Sequence, residues 1–221
     1  MRAPDHTDRF GLGIVMILAT IVCFAFAGPS RWGGLLAVVV ESATLIVLLG
    51  ASAVARSTLR VVSGVLAVAM LAVLTGAVVD NGSHWLKPAI ASVIAVIAPY
   101  FVMRRLFSRT TIDSAMVYGA LCVYLLAGIF FASVYAVVDG ATTAPFFAQI
   151  EQARGVDFVY FSFVTLATLG YGDLTPRGDL GRMLAVTETL LGQLYLVGTV
   201  AMLVSNLGKT RQMGRKERPD V

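Results

Sequence analysis

Thr168, Leu169, Gly170, Tyr171 and Gly172 form a stretch whose residue types and spacing point to a definite chemistry. Two glycines separated by one residue let the backbone take left-handed dihedrals without a Cβ penalty. An alternating backbone of that kind turns successive carbonyls toward one axis, where rings of them can replace the water shell of a dehydrated cation. On this reading the carbonyls of Thr168, Leu169, Gly170 and Tyr171 are cation ligands, closed above by Gly172, and the Thr168 hydroxyl completes the innermost site. The side chains of Leu169 and Tyr171 then point away from the ions into protein. One loop supplies a quarter of each ring, so four chains are required.

A backbone stretch with no helical hydrogen bonds survives at membrane depth only where protein or water satisfies it. The residues around it meet that need. Asp157 is a plausible N-cap, the aromatic and aliphatic residues after it suit a helix of about ten residues ending near Ala167, and Pro176 follows the loop. Apolar runs of membrane-crossing length, roughly 17 to 25 residues, flank this segment at Ser114 to Val138 and Gly181 to Leu207. Four more lie before it, at Phe10 to Ala27, Gly33 to Ala55, Val61 to Val79 and Pro88 to Met103, the last short and interrupted by Pro99. With 57% apolar and 14% charged residues, the chain lies outside the range of soluble domains. The expected class is therefore an all-α membrane protein with six transmembrane helices and a re-entrant helix and loop between the fifth and sixth.

Lys and Arg favour the cytoplasmic side. With both termini inside, twelve basic residues are cytoplasmic and five, Arg31, Lys87, Arg154, Arg177 and Arg182, lie opposite. Ala25-Phe26-Ala27 resembles a leader cleavage site, but Asp5 and Asp8 in the head and the length of the first run favour a retained span. The net charge of +4 comes from basic residues between and after apolar runs, which points to phospholipid head groups and not to nucleic acid. Cys23 and Cys122 sit in apolar runs and imply neither a disulfide framework nor a metal site. No phosphate-cradling loop, nucleophile with base or metal-ligand cluster is present, so catalysis and a cofactor are not expected.

Residues 114–207 closely resemble the pore region of tetrameric potassium channels, in which outer helix, pore helix, filter and inner helix follow one another. The resemblance implies a homotetramer of bacterial inner-membrane type with potassium as the permeant ion. It implies that Tyr160, Phe161, Val164, Thr165 and Asp173 support the filter. Gly192 matches the family's inner-helix hinge, although a glycine also permits close helix packing. Glu188 lies one turn earlier, as a hydrogen-bonding partner for the back of the pore helix or a proton-sensitive gate, and Gln193, Leu196 and Val200 fall on one stripe toward a water-filled cavity.

The chain departs from the family pattern at several places. Ala167 and Leu169 replace a hydroxyl residue and valine, and Tyr160, Phe161 and Phe163 stand where many relatives carry paired tryptophans. Val164 stands where some relatives have a carboxylate, which rules out an acid pair with Asp173. Two alternatives follow, a non-selective cation channel with a loosely braced filter, and a non-conducting sensor or accessory subunit.

The domain reading is 1–9 cytoplasmic, 10–103 a four-helix membrane domain, 104–113 a basic linker, 114–207 the pore domain and 208–221 a basic cytoplasmic tail. A voltage sensor carries arginines through a span. The fourth run has none, and Arg104, Arg105 and Arg109 read as interfacial anchors. Strong voltage gating is not expected. The tail is too short for a ligand-binding domain and reads as a disordered positive segment, or as a contact for anionic lipid. Glu41 in the second run is expected to face a polar crevice, and His84 a solvated loop.

Overall fold

The computed structural model describes residues 6–26, 39, 40, 42–44, 46, 64 and 114–216. Most of the second and third apolar runs, the fourth run, the basic linker, Glu41 and His84 lie outside the described residues.

Four helices are described: α1 (His6–Phe26), α2 (Ser114–Ala141), α3 (Gly155–Leu166) and α4 (Asp179–Lys216). Among the described residues there are no strands, and α2 and α4 each contain a stretch long and apolar enough to cross a membrane, Val117–Ala141 and Asp179–Met202. With the apolar composition, this is an all-α membrane protein. The sequence expectations meet the structure closely at α2, which runs three residues past Val138, and at α4, which begins two residues before Gly181. At the other end α4 continues through Gly208 to Lys216, so the larger part of the expected disordered tail is helical. Gly208 alone does not stop it, since helix-forming residues lie on both sides.

The short helix α3 packs between α2 and α4, and α1 packs against α2 and α3. Its core is aromatic. Tyr135 of α2, Phe146 and Phe147 of the following loop, and Phe158 and Phe161 of α3 form one buried cluster, with ring centroids 4.9 to 6.1 Å apart among these five. Most of these pairs are edge-on, the arrangement the ring quadrupole favours. Phe147 is fully buried, so Phe147→Ala should lower stability by about 3 kcal/mol or more, read as a fall in the thermal midpoint of detergent-solubilised protein.

The loop after α2 is pinned to the loop after α3. Phe147 and Pro176 form an antiparallel bridge, with Ala148 N donating to Thr175 O at 2.9 Å and Arg177 N to Phe146 O at 2.8 Å. Gln149 adds a two-way clamp: its Nε2 donates to Thr175 Oγ1 at 2.7 Å and its Oε1 accepts from Thr175 N at 2.9 Å. The segment from Thr168 to Gly172 is thereby tied down at both ends, by α3 before it and by this clamp after it.

Candidate functional site

α3 starts one turn earlier than the sequence suggested. Arg154 is the N-cap and Asp157 the third helical residue. Asp157 still serves the helix start, because its carboxylate accepts from the Arg154 backbone N–H at 2.7 Å and places negative charge at the positive end of the helix dipole.

The other end of α3 shapes the loop. The last four carbonyls of a helix have no partner within it, and here each finds one. Phe163 O accepts from Ala167 N at 3.0 Å, Thr165 O from Thr168 N at 2.9 Å and Val164 O from Leu169 N at 2.9 Å. Leu166 O accepts from the Tyr124 hydroxyl of α2 at 3.1 Å. With Ala167 as the C-cap, the bonds made by Thr168 and Leu169 are those of a Schellman motif, which ends a helix on a left-handed residue. That residue is usually glycine. Here it is Thr168, at φ 57°, a strained position for a β-branched side chain. Strain of this kind persists where the surrounding structure over-determines it, and it clusters at functional sites.

Gly170 and Gly172 follow at φ 55° and 78°, so every second residue from Thr168 to Gly172 is left-handed. Leu169 and Tyr171, the residues between, are exposed in the single chain.

The candidate support residues surround this loop. Tyr160 donates from its hydroxyl to Asp173 Oδ2 at 2.6 Å, spanning thirteen residues. This bond holds the Asp173 carboxyl below the usual carboxylate range. Phe161 and Val164 are buried, and the carbonyls of Val164 and Thr165 carry the bonds that start the loop.

On α4, Gly192 is buried against the end of α3. A Cβ there would lie 2.7 Å from Leu166 Cδ1 and 3.2 Å from Leu166 O. Gln193 reaches under the loop, its Nε2 3.4 Å from Thr168 Oγ1. Val200 is exposed and Leu196 half-buried. Glu188 is fully buried and faces Tyr135 of α2 and Ser162 of α3, which fits the expected hydrogen bond to the short helix and takes it away from the cavity residues with which it was grouped. Its position on α4, one turn before the Gly192 contact, turns it toward α3.

Sequence reasoning did not single out Tyr124, Tyr135, Ser162 or Thr189. Thr189 Oγ1 lies 3.5 Å from Thr165 O, and 2.9 Å from Ala185 O in its own helix. The usable signal was a polar group inside an apolar span, which needs a partner there.

Residues 119–209 match the family described as ion channel. A two pore potassium channel of Oryza sativa is 32% identical over 104 residues, covering 47% of this chain and 26% of the relative. A probable potassium channel protein of Methanocaldococcus jannaschii is 39% identical over 71 residues, 31% of this chain and 20% of the relative. The human potassium voltage-gated channel subfamily KQT member 3 is 34% identical over 62 residues, 28% of this chain and 7% of the relative. This segment is similar to ion channels, potassium channels among them.

The matching family is one of ion channels, and these relatives are named as potassium channels. The chain spans about a quarter or less of the length of these curated relatives. In the order expected of a channel pore, α2 would be the outer helix, α3 the pore helix, residues 168–172 the filter segment and α4 the inner helix.

Tyr160 and Asp173 join α3 to the residue just beyond the 168–172 loop. Because Asp173 is held below its ordinary range, the stability this bond gives is present above the usual carboxylate range and is lost as pH falls through the lowered value. Tyr160→Phe should remove that acid dependence and, on the channel reading proposed below, raise sodium permeation relative to potassium by roughly two- to tenfold, the worth of one hydrogen bond. Flux ratios and melting midpoints of wild type and variant across acidic pH check both effects.

Proposed function

We propose that the chain is one subunit of a homotetrameric, potassium-selective channel that conducts passively, without strong voltage gating and without a cofactor. The observation that carries this reading is the alternation of positive φ at Thr168, Gly170 and Gly172, on a TLGYG stretch seated on a capped pore helix. That backbone suits a column of oxygen ligands at Thr168, Leu169, Gly170 and Tyr171. The negative end of the pore-helix dipole favours a cation below them.

The tetramer is supported by the surface that one chain leaves bare. Half of the outer helix's apolar span is covered within the chain, whereas the inner helix leaves most of its own uncovered. Leu180, Met183, Val186, Leu190, Leu194 and Val197 are exposed along it. Four copies around the filter axis would bring these faces, and the exposed Leu169 and Tyr171, against neighbouring subunits. Gln193 would then form a polar ring at the top of the cavity, with Leu196 and Val200 below.

The membrane is read as a bacterial plasma membrane, crossed six times with both termini in the cytoplasm. The basic residues after Leu207 are placed to meet anionic lipid head groups. The Tyr160–Asp173 bond argues against a loosely braced, non-selective filter.

Purified full-length chain in liposomes should release potassium down its gradient and run as a tetramer after chemical cross-linking. Equal potassium and sodium fluxes would support the non-selective reading. Absence of flux from cross-linked tetramers would support an accessory subunit with a pore-like fold.

A further inference from the structure

Among the described residues, Glu188 is the one charged-type side chain that is fully buried. It lies on the inner helix and touches the two other helices of the pore domain. Tyr135 Oη of the outer helix is 2.5 Å from Glu188 Oε2, and Ser162 Oγ of the pore helix is 2.5 Å from Oε1. Ser162 Oγ is also 2.7 Å from the Gly128 carbonyl of the outer helix.

Three contacts call for three hydrogens, and the hydroxyls of Tyr135 and Ser162 supply two. A serine hydroxyl has one hydrogen and a carbonyl oxygen has none. With the serine hydrogen given to Gly128, Ser162 Oγ is left as an acceptor toward Glu188. Tyr135 supplies its own hydrogen to Oε2. The remaining contact, from Oε1 to Ser162, is a hydrogen bond only if Glu188 carries the proton.

The surroundings agree with a neutral acid. Among the described residues no Lys, Arg or His forms an ion pair with Glu188. The titratable groups facing it, Tyr135 and more distantly Tyr124, both come from the outer helix, and the pore helix presents the Ser162 hydroxyl. An unpaired carboxylate is far more costly to bury than the protonated acid.

We propose that Glu188 is a neutral carboxylic acid whose proton closes a clasp between inner, pore and outer helices, making Glu188 a positioning residue for the filter. Its position explains why the filter would feel it. Ser162 lies six residues before Thr168, and Glu188 lies one turn before Gly192, which abuts Leu166. The clasp and the glycine contact seat the pore helix at two successive turns of the inner helix. Loss of the proton would set a carboxylate oxygen against a hydroxyl with no hydrogen to offer, or pull the serine hydrogen away from Gly128. The effect on conduction rests on the channel reading; the protonation does not.

Two readouts on full-length protein in lipid test the proposal. The first is the infrared spectrum of wild type minus Glu188→Gln, followed from neutral to alkaline pH. A protonated-carboxyl C=O band from Glu188 at neutral pH is expected, and carboxylate bands there instead would overturn the assignment. The second is potassium flux over the same range. Gln can accept from Tyr135 through its amide oxygen and donate to Ser162 through its NH2, so Glu188→Gln should conduct like wild type at neutral pH. It should keep its flux at the alkaline pH where the wild-type band disappears and wild-type flux falls roughly tenfold, as expected for a buried polar group losing its partner. Flux in the wild type that ignores the disappearance of the band would overturn the positioning role. Wild-type protein that shows the band but never conducts would sink the channel reading and the positioning role, and leave the protonation standing.

Discussion

Gly170→Ala is expected to reduce potassium flux through reconstituted protein by roughly a thousandfold while leaving the helices intact. At Gly170 φ is 55°, and a Cβ added there would meet nothing within 4 Å in the single chain. The cost is therefore one of backbone conformation, about 1 kcal/mol or more for an L-residue held left-handed. In a fourfold pore every ring carries the substitution four times. The combined cost of about 4 kcal/mol or more corresponds to roughly three powers of ten, enough to turn the carbonyls away from the axis. Potassium efflux and circular dichroism on the same preparation check this. Unchanged flux with unchanged helicity would show that Gly170 does not line the ion path.

Gly192→Val should prevent stable assembly altogether. The added Cβ would sit 2.7 Å from Leu166 Cδ1 and 3.2 Å from the Leu166 carbonyl. The leucine side chain can rotate aside, but the backbone oxygen is fixed by its bond to Tyr124. Overpacking at such a contact costs about 1 to 3 kcal/mol per site, again repeated in each subunit. Cross-linking and size-exclusion chromatography in detergent should show the loss of the oligomer. Gly192→Ala should be milder, and combining it with Leu166→Ala should restore assembly in part, as expected for residues in contact. If Gly192 served only as a hinge, with no packing role, Leu166→Ala would not rescue it.

Much of the candidate site was legible in the sequence because it is local. The filter segment, the helix before it and the proline after it lie within twenty residues, and each has a residue type tied to one conformation. The end of the pore helix was placed near Ala167, and Ala167 is its C-cap. Its start was misplaced by three residues because an aspartate can serve a helix either as N-cap or from the first turn. At Asp157 the second role won.

The Schellman cap was hidden for a different reason. Its left-handed position is normally glycine, and here a threonine occupies it. The clasp around Glu188 was legible in part: a hydrogen bond to the back of the pore helix was among the expectations, but its partners Ser162 and Tyr135 lie 26 and 53 residues away and no periodic pattern connects them. Tyr160 and Asp173 were both read as filter support, but the bond between them was obscured, because a tyrosine at position 160 stands where relatives carry a tryptophan. The geometry gives it a hydrogen bond to Asp173.

The helical tail beyond Leu207 carries a similar lesson. Its basic composition suggested a disordered segment, but Lys, Arg, Gln and Met are all good helix formers. Once the inner helix is established, extension costs far less than nucleation.

The most direct test of the central claim is the reversal potential of the full-length chain in a planar lipid bilayer, with potassium on one side and an equal concentration of sodium on the other. A potassium-selective filter at Thr168 to Gly172 predicts a reversal potential displaced strongly in the direction set by potassium. That displacement should collapse, or the current vanish, in Gly170→Ala. A wild-type reversal potential at zero would contradict the account.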